Sequence, residues 1–322
     1  MTVLILARDL DSQVDRLVQA LDERDVPVFR TDLAAFPRAL TLDARLGPAG
    51  WDGVLATERR KVRLSEIRSV LYRHPSHFEL ADGLSRTERR HAAAEARCGL
   101  GGVLSELDVL WVNHPSRESD AIKPRQLNVA RKVGLGYPAS QVTNRPDAVG
   151  DFATTVGGPL AAKTLAAAAL VESGRVQIAY TRRVQSTELG DLAGVEVTAH
   201  LFQAFLPKLC EARVTVVGQH VFAATIHANS DAARVDWRVD YDALDYAVVE
   251  PPAPVTAGML AFLKHFGLSF GAFDFVITPD QEWIMLECNP AGAYGWLEQA
   301  LDLPITSTLA DLLANGAHHG VQ

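Results

Sequence analysis

Three oxygen-bearing side chains late in the chain, Asp274, Glu287 and Asn289, are spaced as ligands for a hard cation. They lie in Gly271-Ala272-Phe273-Asp274-Phe275-Val276 and Trp283-Ile284-Met285-Leu286-Glu287-Cys288-Asn289-Pro290, with the turn Thr278-Pro279-Asp280-Gln281 between. Side chains alternate faces along a strand. In a hairpin with an even-numbered loop, Asp274 therefore shares a face with Met285, Glu287 and Asn289. Opposed pairs lie about 5 Å apart and diagonal ones roughly 7–8 Å. Two carboxylates and an amide oxygen in that space suit Mg2+ and leave coordination positions for phosphate oxygens. Taken alone, the segment also reads as an amphipathic hairpin with a polar outer face.

Four cations could serve the same chemistry. Lys163 ends a small apolar strand, where a charge is costly unless it meets an anion, and Lys123 stands at a helix N-terminus whose free amides favour phosphate. Arg213 opens a strand and Arg238, in Asp236-Trp237-Arg238, comes from a loop; either could clamp a phosphoryl group or a carboxylate. Solvated lysines and a surface arginine are the alternatives. The stretch Phe202-Gln203-Ala204-Phe205-Leu206-Pro207-Lys208 is an apolar strand cut by proline, which leaves backbone groups free for an adenine edge, or else is a plain edge strand.

These residues need a scaffold, and the periodicity supplies one. Val3–Ala7, a helix over Asp11–Arg24 and Val26–Phe29 read as a βαβ start without GxGxxG, so dinucleotide binding is not expected there. Ala39–Leu46 and Trp51–Thr57 flank a Gly47-Pro48-Ala49-Gly50 turn, Ser65–Tyr72 is a strand, and a capping box at Ser85–Glu88 opens a helix running toward Leu107. Val109–Val112 is a strand, and a boundary follows at Asn113-His114-Pro115-Ser116. A helix over Pro124–Val133 and strands Pro159–Thr164 and Gln177–Arg182 come next. The last unit has a strand over His200–Leu206, a hairpin over Arg213–Ala228, a helix over Pro254–Phe266 and the acidic hairpin. The expected division is 1–118, 119–188 and 189–322, an α/β (α+β) architecture.

The 322 residues, 48% hydrophobic, carry a formal net charge of −8. That balance argues against a nucleic-acid coat, since phosphate binding needs clustered Lys and Arg. Arg86, Arg90 and Arg97 recur at helical spacing and read as a solvated face or a patch for an acidic peptide. No apolar run is long enough to span a membrane or act as a signal peptide, so a cytoplasmic protein is expected. Cys98, Cys210 and Cys288 form no CxxC and are expected to be buried packing residues. His74-Pro75-Ser76-His77 is expected to be a loop rather than a helical metal pair, and His318-His319 a tail.

In this order, Lys before a helix, Lys on a strand, Gln-x-Phe-Leu-Pro-Lys, Arg213-Val214-Thr215-Val216-Val217-Gly218 and Phe-Asp-Phe paired with Leu-Glu-Cys-Asn-Pro resemble the ATP-grasp ligases from about Ser119 onward. The preceding α/β unit resembles their pre-ATP-grasp domain. Ala162-Lys163-Thr164, Tyr180-Thr181-Arg182-Arg183-Val184, Asp236-Trp237-Arg238 and the run Asn289-Pro290-Ala291-Gly292-Ala293-Tyr294-Gly295-Trp296 are similar to the microviridin-type peptide maturases, the graspetide synthetases. The resemblance implies ATP and Mg2+ as cofactors. Lys123 and Lys163 would hold phosphates, and Gln203, Ala204, Phe205 and Leu206 the adenine. Asp274, Glu287 and Asn289 would hold Mg2+, and Arg213 and Arg238 the transferring phosphoryl group or substrate carboxylate. It further implies a ribosomal precursor peptide, leader and core, as partner, and a homodimer. One departure is Leu165-Ala166-Ala167-Ala168-Ala169-Leu170, where many ATP-grasp enzymes carry a glycine-rich loop.

The implied chemistry activates an Asp or Glu side chain as an acyl-phosphate, captured by a Thr or Ser hydroxyl or a Lys amine to close a ring. A ligase adding an amino acid to a small molecule or a protein terminus, and a silent nucleotide-binding regulator, are the rival readings.

Overall fold

The computed structural model describes residues 1–166, 169–172, 175–178 and 180–316. The alanines at 167 and 168 in the departing loop and the His318-His319 tail lie outside the described residues.

The chain begins with β1 (Thr2–Ala7), α1 (Ser12–Asp22) and β2 (Val28–Thr31). The Asp11 carboxylate starts α1 by accepting the Gln13 and Val14 amides. A separate antiparallel sheet of β3 (Leu40–Gly47), β4 (Gly50–Thr57) and β5 (Lys61–Arg63) projects next. Then β6 (Ile67–Arg73) and β7 (Leu110–Val112) complete a parallel sheet in the order β2-β1-β6-β7. Between them lie α2 (Arg86–Ala96), opened by the Ser85/Glu88 capping box, and α3 (Gly102–Ser105). One continuous helix is expected here, but Arg97–Gly101 is π-helical, where Gly99, Gly101 and Gly102 weaken the preference for α geometry. Cys98, on that turn, is exposed rather than buried, so it is not a packing residue; Cys210 and Cys288 are buried. Arg86, Arg90 and Arg97 are exposed, and His74 to His77 lie in a loop.

After α4 (Pro115–Asp120) and α5 (Lys123–Lys132), the central strands are β8 (Ser140–Thr143), β9 (Leu160–Lys163), the pair β10 (Ala169–Glu172) and β11 (Arg175–Ile178), and β12 (Arg182–Val184). The helix α6 (Pro146–Val156) joins β8 to β9 and ends at the left-handed Gly157. The strand β13 (His200–Ala204), grouped by sequence with the following unit, is laddered between β9 and β8 in the sheet β12-β9-β13-β8.

The remaining chain builds the antiparallel sheet β16-β15-β14-β17-β18. Its strands are β14 (Cys210–Val217), β15 (His220–Ala228), β16 (Leu244–Val248), β17 (Phe270–Ile277) and β18 (Trp283–Asn289). The helices are α7 (Asp231–Val235), α8 (Ala253–Phe266), α9 (Gly295–Leu301) and α10 (Ile305–Asn315). Alternation splits β14 and β17 cleanly. Ala212, Val214, Val216, Phe273, Phe275 and Ile277 pack with Met259, Phe262 and Phe266 of α8 and Val129 of α5. Glu211, Arg213, Thr215, Asp274 and Val276 are left on the other face.

The first and last parts of the chain are fused. Leu309, Leu312 and Leu313 of α10 pack with Val14, Leu17 and Leu21 of α1. Asn113, 1% exposed at the expected boundary, accepts the Ser269 and Phe270 amides through Oδ1. Its Nδ2 donates to the Phe270 and Pro290 carbonyls. Among the described residues no helix is long and apolar enough to cross a membrane.

Candidate active site

Across the last hairpin Asp274 pairs with Glu287 and Ala272 with Asn289. Beyond Asp274 the register slips, and Phe275 faces Met285. Met285 therefore does not share the Asp274 face; it is buried against α8 with Phe275, while Leu286 takes the place beside Glu287. The turn over 278–282 has five residues, not the expected even number, which sets Met285 opposite Phe275; one extra residue in β18 then brings Glu287 opposite Asp274.

The hairpin forms one wall of a cleft of about 320 Å3 facing the central sheet. Lys123, Lys163, Gln203, Ala204, Phe205, Leu206, Arg238, Asp274, Glu287 and Asn289 all line it. Arg213 does not. It is 5% exposed, behind Asp274, with Nη1 donating to Asp274 Oδ1 at 2.7 Å and Nη2 to the Ala293 carbonyl at 3.0 Å. Gly292 lets this loop pass: a Cβ there would lie 2.8 Å from Arg213 Nη2 and 2.5 Å from the Ala272 Cβ.

Arg238 Nη2 lies 2.7 Å from Asp274 Oδ2 and 3.2 Å from Glu287 Oε1. Burial works against its charge, but Asp274, Glu287 and Asp236 raise its pKa above the ordinary value. Burial likewise pushes the Glu287 carboxyl up, yet Lys123, Arg238 and Lys163 overcome this and hold it at about 2. Lys123 Nζ stands 3.3 Å from Glu287 Oε2 and donates to the Thr164 carbonyl at 2.7 Å, joining the start of α5 to the end of β9. Gln126 sets that helix against β18: its amide accepts the Cys288 N–H at 2.8 Å and donates to the Cys288 carbonyl at 2.8 Å. Burial lowers the Lys163 pKa, with Glu287 opposing.

At the other end, Gln203 donates to Ser140 Oγ at 2.9 Å, and its buried Oε1 has no partner among the described residues. The amides of Ala204 and Phe205 are committed to the Ala139 and Pro159 carbonyls. Of the two hinge residues that follow, Pro207 has no N–H, so Leu206 supplies the amide left for a ligand. An unpaired acceptor beside a free amide suits the amino edge of a purine.

The donor set also suits a divalent cation. Among the described residues no three or more His, Cys, Asp and Glu cluster as a metal site. The set is therefore two carboxylates and the Asn289 amide, and the carboxylates already converge on one positive nitrogen. Such a set leaves half of an octahedron to phosphate and water, as Mg2+ prefers.

Glu211, Lys208, Asp236, Thr181 and Val276 also line the cleft, without a role assigned from sequence. Burial raises the Glu211 pKa, while its ion pair with Lys208 opposes this. The polar alternation Glu211, Arg213, Thr215 along an apolar strand is the signal that marks Glu211 as facing the site.

Residues 2–119 match the family described as the MvdD pre-ATP grasp domain. No curated protein matches the chain. Among solved structures, the macrocyclase MdnC from Microcystis aeruginosa MRC, bound with precursor peptide MdnA, is 28% identical, with TM-score 0.86 over 98% of this chain and 100% of that one. A RiPP-associated ATP-grasp ligase from Chryseobacterium gregarium, in complex with ADP and a leader and core peptide, is 27% identical, with TM-score 0.87 over 98% and 97%. The macrocyclase MdnB from Microcystis aeruginosa MRC is 29% identical, with TM-score 0.80 over 97% and 98%. With its pre-ATP-grasp unit, two-sheet cleft and acidic hairpin, the chain has the ATP-grasp fold and is similar over nearly its whole length to ligases of the ribosomal-peptide maturase, or graspetide synthetase, type.

Proposed function

We propose that the protein is an ADP-forming ligase that activates Asp or Glu side chains of a ribosomal precursor peptide and closes ester or amide rings with Thr, Ser or Lys. The observation that carries this is the convergence of Asp274 and Glu287 on one cationic nitrogen in a cleft walled by two lysines. The peptide and ADP held by the ligase from Chryseobacterium gregarium support the choice of substrates.

In this reading Leu206 N–H and Gln203 Oε1 bind the adenine edge between Ala204 and Phe205, and Lys123 and Lys163 hold the phosphates. Asp274, Glu287 and Asn289 hold Mg2+, which when bound offsets phosphate charge and aligns the γ-phosphoryl group. Arg238 releases the carboxylates and turns to the phosphoryl oxygens; Arg213 keeps Asp274 oriented from behind. The peptide carboxylate attacks the γ-phosphorus and the bond to ADP breaks. The hydroxyl or amine then attacks the acyl carbon, phosphate leaves, and the nucleophile loses its proton. Positioning and charge compensation supply most of the acceleration, so the scheme requires no catalytic triad.

The reading keeps 1–118 as the pre-ATP-grasp domain and 119–188 and 189–322 as the two ATP-grasp subdomains, except that β13 of the latter completes the central sheet, with the leader near Thr181 to Glu188. It also keeps a cytoplasmic homodimer. Incubation with ATP, Mg2+ and a precursor peptide encoded beside it should remove the mass of one water per ring. Addition of a residue would instead indicate the amino-acid ligase, and unchanged peptide with its leader intact would count against both.

A further inference from the structure

We propose that Asp236 is a positioning residue that ties the setting of Arg238 to the edge of the central sheet, a proposal that rests on the ligase reading above. Asp236 is 5% exposed, and a buried carboxylate is costly unless its oxygens are bonded. Its two oxygens serve opposite walls of the cleft. Oδ2 accepts the Thr181 amide at 3.0 Å, while Oδ1 accepts the Arg238 amide at 3.2 Å and Arg238 Nη1 at 3.3 Å.

Thr181 immediately precedes β12, whose Arg182 pairs with Ala162 on β9, next to Lys163. On the other side, Arg238 Nη2 reaches Asp274 and Glu287. A bonded chain thus crosses the cleft from the central sheet, through Asp236 and a guanidinium, to the acidic hairpin. The guanidinium is planar, so holding Nη1 limits where Nη2 can go. Trp237 supports it from below: the Arg238 guanidinium carbon lies 4.9 Å from the centroid of a Trp237 ring that packs 5.1 Å from Trp296.

Two consequences follow from this geometry. With Nη1 tethered, Nη2 can exchange carboxylate oxygens for phosphoryl oxygens by a small rotation rather than by leaving the cleft. Because the other Asp236 oxygen needs the Thr181 amide, that tether has its full geometry only when the edge of the central sheet is in place. Asp236 therefore acts through Arg238 and reports the position of the sheet that carries Lys163.

Asp236→Asn keeps the shape, removes the charge and leaves a single acceptor oxygen. It should lower kcat for ring formation about 10- to 100-fold while Kd for ADP with Mg2+ stays within about threefold and Tm near that of wild type. In an Arg238→Lys background the same substitution should cost less than about threefold, because both changes act on one group. Equal losses in the two backgrounds, or a Kd that weakens as much as kcat falls, overturns the proposal. Amide hydrogen exchange across residues 180–184 with ADP and Mg2+ gives a readout independent of turnover. Protection of the Thr181 amide in wild type, lost in Asp236→Asn, is expected; protection surviving the substitution overturns the proposal. If the wild-type protein leaves the precursor unmodified, the ligase reading fails, while the exchange result still decides whether Asp236 grips the sheet.

Discussion

Asp274 and Glu287 stand directly opposite one another on β17 and β18, and a single nitrogen of Arg238 touches both, at 2.7 and 3.2 Å. Neither carboxylate is bare, and the positive charge between them marks where a cation is worth most. Asp274→Ala and Glu287→Ala should each reduce ring formation about 10³-fold or more. Asp274→Ala should also destabilise the fold by about 3–5 kcal/mol, because it strips a partner from buried Arg213. Rates by mass spectrometry and urea midpoints check both; activity within tenfold of wild type in either variant would remove the metal assignment.

Acid sensitivity should trace to Glu287. Its folded pKa, about 2, lies below the ordinary 4.5, so the ionised form is favoured on folding. The stability it contributes is fully present above pH 4.5 and is lost as pH falls toward about 2. Unfolding midpoints of wild type and Glu287→Gln, measured across that window, should converge as pH drops. A constant difference would show that another group governs the acid limb.

Glu118 should behave in the opposite sense. Burial lifts its carboxyl to about 8 against the opposing pull of Arg73, and its Oε1 has no partner among the described residues. With the folded pKa raised, stability declines as pH climbs from 4.5 through about 8. Glu118→Gln is expected to raise Tm by roughly 2–4 °C in alkaline buffer and by less in mild acid. An equal Tm gain in both buffers would rule out titration of this group as the source.

Gln203→Leu removes a buried side-chain acceptor from the purine end. The ATP KM should rise about tenfold with kcat held within about twofold, the signature of binding lost equally in ground and transition states. A fall in kcat at unchanged KM would place the adenine elsewhere.

Asn113→Ala breaks the hydrogen bonds that join β7 to the acidic hairpin. At about 0.5–1.5 kcal/mol net for each of the four bonds, a loss of roughly 2–6 kcal/mol is expected in urea unfolding. A change under 1 kcal/mol would mean that the other contacts, such as Arg73 with the Ala291 carbonyl and α10 with α1, hold the first unit in place.

The three oxygen ligands were legible on paired strands, but their shared face did not follow from counting: the turn over 278–282 has five residues rather than an even number, and only the extra residue in β18 brings Glu287 instead of Leu286 opposite Asp274. The bulge was not legible, since one extra residue in β18 leaves no mark in composition and reveals itself only in the pairing of Glu287 with Asp274. Arg213 was readable as a site residue but not as a backing for Asp274, which depends on β14 lying beside β17. The same holds for β13, whose partners β8 and β9 are distant in the chain. Asp236 was visible within its tripeptide, yet its link to Thr181 spans 55 positions and has no sequence signature.

The clamp at Asn113 and the packing of α10 on α1 weld the two ends of the chain into one frame. Across the cleft, the four-stranded leaf bearing Lys163 meets that frame through lighter touches, such as Lys123 on Thr164 and Thr181 on Asp236. Admission of a nucleotide should therefore be a swing of that leaf about Leu206-Pro207, with the acid-bearing jaw staying still.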